Sequence, residues 1–148
     1  MKRILIVDDD RKGIAPLAIR LKAAGYEVAT AVNGIEGLKL AVRDRPDLIV
    51  MDVWMPDGLG ILTAQRLKNF GLANVPVIFI TAGTKETLWA IAEEVKPAGF
   101  FEKPYDSKEI VASIGSLLGN CCIPVALLSP QTKSHGKANH EKNTYYRG

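Results

Sequence analysis

The chain has 148 residues, of which 47% are hydrophobic, 24% charged and only 7% aromatic. This is one domain's worth of chain with an aliphatic core; disordered, collagen-like, coiled-coil and disulfide-framework classes are excluded, and no apolar run approaches the roughly 20 residues of a membrane helix. The net charge of +3 belongs to residues 129–148, where Lys133, Lys137, Lys142 and Arg147 are set against the single acid Glu141, so the rest is neutral and offers no basic surface for nucleic acid.

The first predicted strand is residues 2–7, a short aliphatic and β-branched run that stops at Asp8-Asp9-Asp10. It opens like a signal peptide, but four apolar residues are too few for the hydrophobic region of one. The only cysteines, Cys121 and Cys122, are adjacent and cannot staple distant segments. Both features predict a cytoplasmic protein. Ile14, Leu17, Ala18 and Leu21 then follow helical spacing. A weaker strand is expected over 26–32, flanked by Gly25 and Asn33-Gly34, and a helix through Leu38, Ala41 and Val42. The third strand, 47–51, follows Pro46 and runs into Asp52; Ile61, Ala64, Gln65 and Leu67 mark the next helix. The fourth strand, 75–80, ends at Thr81, and Leu88, Ile91, Ala92 and Val95 form the fourth helical stripe. The fifth strand, 98–101, precedes Lys103-Pro104. The fifth helix carries Ile110, Ile114, Leu117 and Leu118, with Asp106-Ser107 as its start signal and Gly119 as its stop. The first, third and fourth strands are continuously apolar rather than alternating, as expected when both faces of a sheet are covered. Five strands alternating with five helices predict a doubly wound α/β domain over residues 1–119. Residues 120–148 are expected to be a tail or linker without room for a second core. Its apolar stretch 123–128 is read as tethered linker, with packing on the body or a homodimer contact as alternatives.

In a parallel sheet of this kind Asp8-Asp9-Asp10, Asp52, Thr81 and Lys103 all fall at the carboxyl edge, where such folds place their sites. Converging carboxylates repel unless a cation joins them, and an all-oxygen set suits Mg²⁺. A lysine and a hydroxyl beside them suit the oxygens of a phosphoryl group, for which a carboxylate can itself be the nucleophile. Taken singly each residue has an ordinary reading: Asp8, Asp9 and Asp10 as loop acids, Asp52 as a helix cap, Thr81 as a strand-end cap, Lys103 as a surface lysine. Five signals in order at strand ends make coincidence the poorer explanation. Asp10, the third acid, is better read as a support behind the ligands or as a cap than as a ligand, Phe100 as either core or switch, and Trp54 and Trp89 as surface or interface aromatics.

With these residues the chain resembles the receiver domains of two-component response regulators, over residues 2 to about 119. The resemblance implies a flavodoxin-like (βα)5 fold of the chemotaxis-regulator type, a five-stranded parallel sheet in the order 2-1-3-4-5. It implies that Asp52 is the phospho-acceptor and that Asp9, Asp52 and the Trp54 backbone carbonyl hold Mg²⁺, with Asp8 acting indirectly. It further makes Thr81 the switch hydroxyl, Ala82 the small residue that leaves the phosphate room, Lys103 the charge-stabilising lysine before a cis Pro104, and Phe100 the switch aromatic. The implied partners are a sensor histidine kinase or phosphotransfer protein and a downstream output protein or fused domain, reached through a face built from the fourth helix, fifth strand and fifth helix. The implied behaviour is that of a regulatory switch rather than an enzyme, without direct nucleic-acid or membrane binding. Three positions depart from the family pattern: Phe100 has no ring hydroxyl, Leu59-Gly60 stands where Asp-Gly is usual, and Lys96-Pro97 replaces a Gly-Ala pair.

Two alternatives follow from the same residues. A haloacid-dehalogenase-type phosphohydrolase would use Asp8 as nucleophile with Asp10, but Lys12 occupies the expected Thr or Val position and the cap insertion is missing. A degenerate, phosphorylation-independent binding module would not need the complete set of side chains. A flavin or nucleotide carrier is weaker still, because no glycine-rich loop follows the first strand.

Overall fold

The computed structural model describes residues 1–83, 93 and 95–119. The main sheet consists of β1 (Arg3–Val7), β2 (Glu27–Ala31), β3 (Leu48–Asp52), β6 (Val77–Thr81) and β7 (Gly99–Glu102), all parallel, in the order β2-β1-β3-β6-β7. Counting main-sheet strands only, this is the expected 2-1-3-4-5. Between β3 and β6 lies a two-stranded antiparallel hairpin, β4 (Trp54–Met55) and β5 (Gly58–Leu59), which sequence periodicity does not predict. Four helices are described: α1 (Arg11–Ala23), α2 (Gly34–Asp44), α3 (Gly60–Lys68) and α4 (Ser107–Leu117), the last being the fifth predicted stretch. The fourth predicted helix, except for the buried Val95, lies outside the described residues, as do Trp89, both cysteines and the segment 123–128.

The continuous apolar strands have the predicted cause. Successive residues point to opposite faces, and here both faces are covered. Ile4, Ile6, Leu48, Val50, Ile78 and Ile80 pack under α1 and α4 with Ile14, Leu17, Leu21, Ile110 and Ile114. Leu5, Val7, Ile49, Met51 and Phe79 pack under α2 and α3 with Ala41, Ile61, Ala64 and Leu67. In the α3 stripe Thr63 is buried beside Ile61 and Ala64, whereas Gln65 is only half-buried.

Local signals set the helix ends. Asp10 caps α1 through a bond from the Gly13 amide (3.0 Å), one of the two roles expected for the third acid. Asn33 caps α2 by accepting from the Glu36 amide (2.8 Å), and Glu36 accepts in turn from Val32 N–H (2.8 Å). Asp106 caps α4 by accepting from the Lys108 amide (2.9 Å), and Gly119, with φ 68°, follows the C-cap Leu118.

Lys96 adopts the left-handed conformation (φ 54°), which explains why glycine suits this place and makes the Lys96-Pro97 departure a strained one. Lys96→Gly is expected to raise stability by about 0.5–1 kcal/mol, and Lys96→Val to lower it by at least as much, read from urea midpoints. Equal midpoints for the two variants would show that the backbone there relaxes without cost.

Candidate phospho-acceptor site

The loop after β1 and the ends of β3, β6 and β7 bring the acidic residues, the threonine and the lysine to one rim. Because β2 and β3 flank β1 on opposite sides, this rim lies at the topological switch point. Asp8 follows Val7 directly, Asp52 and Thr81 are the last residues of their strands, and Lys103 follows Glu102, the last residue of β7.

Asp8 and Asp52 are buried, with 1% and 4% of their surfaces exposed, whereas Asp9 is exposed. The Lys103 ammonium bridges the buried pair, 3.0 Å from Asp8 Oδ2 and 3.5 Å from Asp52 Oδ2. Each remaining oxygen accepts a backbone N–H: Asp8 Oδ1 from Asp10 (2.9 Å) and Asp52 Oδ1 from Trp54 (3.3 Å). Burial, joined by repulsion from Asp8, pushes the Asp52 carboxyl up to about 6, against the opposing pull of Lys103. Burial also works against the Lys103 charge, but the hydrogen bond to Asp8 and the attraction of both carboxylates outweigh it and raise that pKa.

Oxygens of Asp8, Asp9 and Asp52 lie within 4.8 Å of one another. Three carboxylates against one ammonium leave two negative charges in a small volume, the deficit a hard divalent cation with oxygen ligands neutralises. The residues present therefore fit Mg²⁺, with Asp9 the carboxylate most open to solvent.

Thr81 is fully buried and its hydroxyl oxygen accepts from the Gly83 amide (3.0 Å), which leaves its proton uncommitted by that bond. The Lys103 amide bonds the Thr81 carbonyl (2.7 Å), so the two side chains belong to one backbone unit; the Lys103-Pro104 peptide is cis. Phe100 is buried inward at 1% exposure, its ring 6.1 Å from that of Phe79 on the neighbouring strand. Trp54 is half exposed on the hairpin, as expected of a surface aromatic. All the predicted side chains except Phe100 and Trp54 thus converge at the rim; Phe100 lies in the apolar core with Met51 and Phe79.

Sequence reading missed two residues of this neighbourhood. Gly60 starts α3 so close to β3 that a β-carbon there would strike the Asp52 carbonyl oxygen. Asp57, at the hairpin tip, accepts from the Gly34 and Ile35 amides at the start of α2 (3.1 and 3.0 Å). The signal for the first is the glycine kept in the Leu59-Gly60 pair, where Asp-Gly is usual; the second has no local signal.

A model of the response regulator receiver domain matches residues 4–115. The transcriptional regulatory protein PrrA of Mycobacterium tuberculosis is 38% identical over 118 residues, covering 78% of this chain and 49% of that protein. The response regulator PleD of Caulobacter vibrioides is 36% identical over 118 residues, covering 78% of this chain and 26% of that one. Among solved structures, the chemotaxis protein CheY4 of Vibrio cholerae superposes with a TM-score of 0.74 at 27% identity, over 79% of this chain and 98% of its own. The chain thus spans about half the length of PrrA, and what matches is the part holding the acidic rim. With the strand order and the acid–lysine cluster already in place, these matches make the chain a member of the response regulator receiver domain family.

Proposed function

We propose that the domain, residues 1–119, is a phosphorylation-controlled switch whose acceptor is Asp52. The observation that carries this reading is the bridging of two buried carboxylates by Lys103, with Asp9 beside them. An Asp52 oxygen attacks the phosphorus of a phosphohistidine on a sensor kinase or phosphotransfer protein, or of a small acyl phosphate. The bond to the donor nitrogen or oxygen breaks, and the leaving imidazole or carboxylate carries off the electron pair. Lys103 balances charge on the transferring oxygens, and the Thr81 hydroxyl donates to one of them. Asp9, Asp52 and the Trp54 carbonyl would hold Mg²⁺, with Asp8 helping indirectly through Lys103 and the Asp10 amide; the ion supplies positive charge that offsets the crowded oxygens. Displacement of Thr81 toward the phosphoryl group opens space for Phe100. This biases a face that includes β7 and α4 toward a partner or fused output. The chain acts on itself and turns over no external substrate, so the domain is a switch rather than an enzyme.

A cytoplasmic setting agrees with a kinase partner, and no described helix is long and apolar enough to cross a membrane.

Acetyl phosphate with Mg²⁺ is expected to add the mass of one phosphoryl group to the wild-type chain and none to Asp52→Asn, as read by intact-protein mass spectrometry. Labelling of Asp52→Asn at the wild-type level would remove Asp52 as acceptor. A label mapped to Asp8 would favour the hydrolase chemistry instead.

A further inference from the structure

We propose that Asp57 is a positioning residue for the cation site: it ties the loop that carries Trp54 to the start of α2. The inference rests on the reading of the Trp54 carbonyl as a ligand. Trp54 lies on β4, paired across the hairpin with Leu59, and Met55 pairs with Gly58. The hairpin's root is fixed to β3 by the Gly60 amide on the Val53 carbonyl (2.8 Å) and by the Trp54 amide on Asp52 Oδ1. Its tip, at Pro56-Asp57, belongs to a two-stranded ribbon separate from the main sheet, and such ribbons hold themselves poorly in water. The Asp57 carboxylate supplies an outside anchor by accepting from the Gly34 and Ile35 amides, one with each oxygen.

The contact completes the first turn of α2. The amides of Gly34 and Ile35 are donors without intrahelical partners, Asn33 already satisfying Glu36, and a negative charge at this end also suits the helix dipole. Gly34 permits the approach, since a β-carbon there would crowd Asp57 Oδ2 and collide with Thr63 Oγ1. The family's usual acid at position 59 is a leucine here, and α3 accordingly has no side-chain cap. The hairpin's acid is spent on α2 instead, twenty-odd residues earlier in the chain. A tethered hairpin holds the Trp54 carbonyl at one distance from the acids; a free one lets it wander.

The test is a Mg²⁺ titration followed by tryptophan emission, with no phosphodonor present. Asp57→Ala is expected to weaken Mg²⁺ binding about three- to tenfold and Asp57→Asn, which keeps one acceptor oxygen, by less. Asn33→Ala removes a cap from the same helix without touching the hairpin and is expected to stay within about twofold of wild type. The Asp57→Ala deficit is expected to persist in about 1 M KCl, where the loss of a distant charge is screened. Amide exchange at Gly34 and Ile35 is expected to quicken in Asp57→Ala without any metal. Wild-type affinity in Asp57→Ala, or an equal loss in Asn33→Ala, overturns the proposal while the acceptor-site reading stands. A wild-type chain that binds no Mg²⁺ overturns that reading first, and this proposal with it.

Discussion

Asp52→Asn is expected to make the metal-free protein more stable above about pH 6, even as it abolishes phosphoryl acceptance. The Asp52 carboxyl is pushed from its ordinary 3.8 to about 6, chiefly by burial and then by Asp8. A raised carboxyl pKa means the folded state binds the proton more tightly than the unfolded chain does. The penalty is therefore nil below about pH 4, grows between about pH 4 and 6, and is full above that. At about 1.4 kcal/mol per pKa unit the full penalty is roughly 3 kcal/mol. Asparagine does not recover all of it. Both Asp52 oxygens accept from N–H donors, Trp54 on one side and Lys103 on the other, and an amide offers only one acceptor. A net gain of about 2 kcal/mol is expected at about pH 8, fading to nothing at about pH 4, seen as a rise of several degrees in the thermal midpoint. A pH-independent difference would mean that the Asp52 charge is not what strains the apo rim. Since the strain is a charge held out of water and beside Asp8, it is the same feature that makes the site receptive to a cation.

The parts of this molecule legible in the sequence are those governed by repeating patterns. β1, β3 and β6 announced themselves as unbroken apolar runs because both sheet faces are covered, and the polar residues that close them, Asp8 after β1, Asp52 and Thr81, marked the functional rim. The cap Asp106 was readable as a helix start, whereas Asn33 stood only as the flank of the second strand until its bond from Glu36 showed it to be a cap. What stayed hidden has no period. The β4–β5 hairpin has two-residue strands around Pro56-Asp57-Gly58, too short to show alternation. Asp57 finds its partners in amides 22 and 23 residues away, a contact that only the packing of α2 against the hairpin creates. Asp8 and Asp9 look alike as neighbours in a string of acids, yet one is buried against Lys103 and the other faces water. Even the Lys96-Pro97 departure was visible as a missing glycine, but its meaning, a left-handed residue, needed the backbone.

Lys103→Met is expected to separate metal binding from phosphoryl transfer. The lysine is the cation shared by two buried carboxylates, at 3.0 and 3.5 Å, with its own side chain 27% exposed. Its removal leaves Asp8 and Asp52 with backbone donors alone, and breaking a buried pair from one side costs about 3–5 kcal/mol. The cost has a ceiling in this protein. Lys103 is one of the groups holding the Asp52 pKa down, so without it Asp52 rises further and takes its proton at a higher pH than in the wild type. The stability loss is therefore expected near its full value at about pH 8 and much reduced at about pH 5, measured by urea denaturation in chelator. Mg²⁺ reverses the picture. The ammonium repels any cation beside it, so the variant is expected to bind Mg²⁺ more tightly than wild type and to gain more from it; a hundredfold excess over the dissociation constant is worth about 2.7 kcal/mol. Phosphoryl transfer from acetyl phosphate is nonetheless expected to fall by about two orders of magnitude, because the charge that met the transferring oxygens is gone. Tighter metal with slower chemistry is a combination that a merely structural lysine does not produce. Weaker Mg²⁺ binding in Lys103→Met would place the ammonium away from the cation and leave the acidic cluster without the role assigned to it.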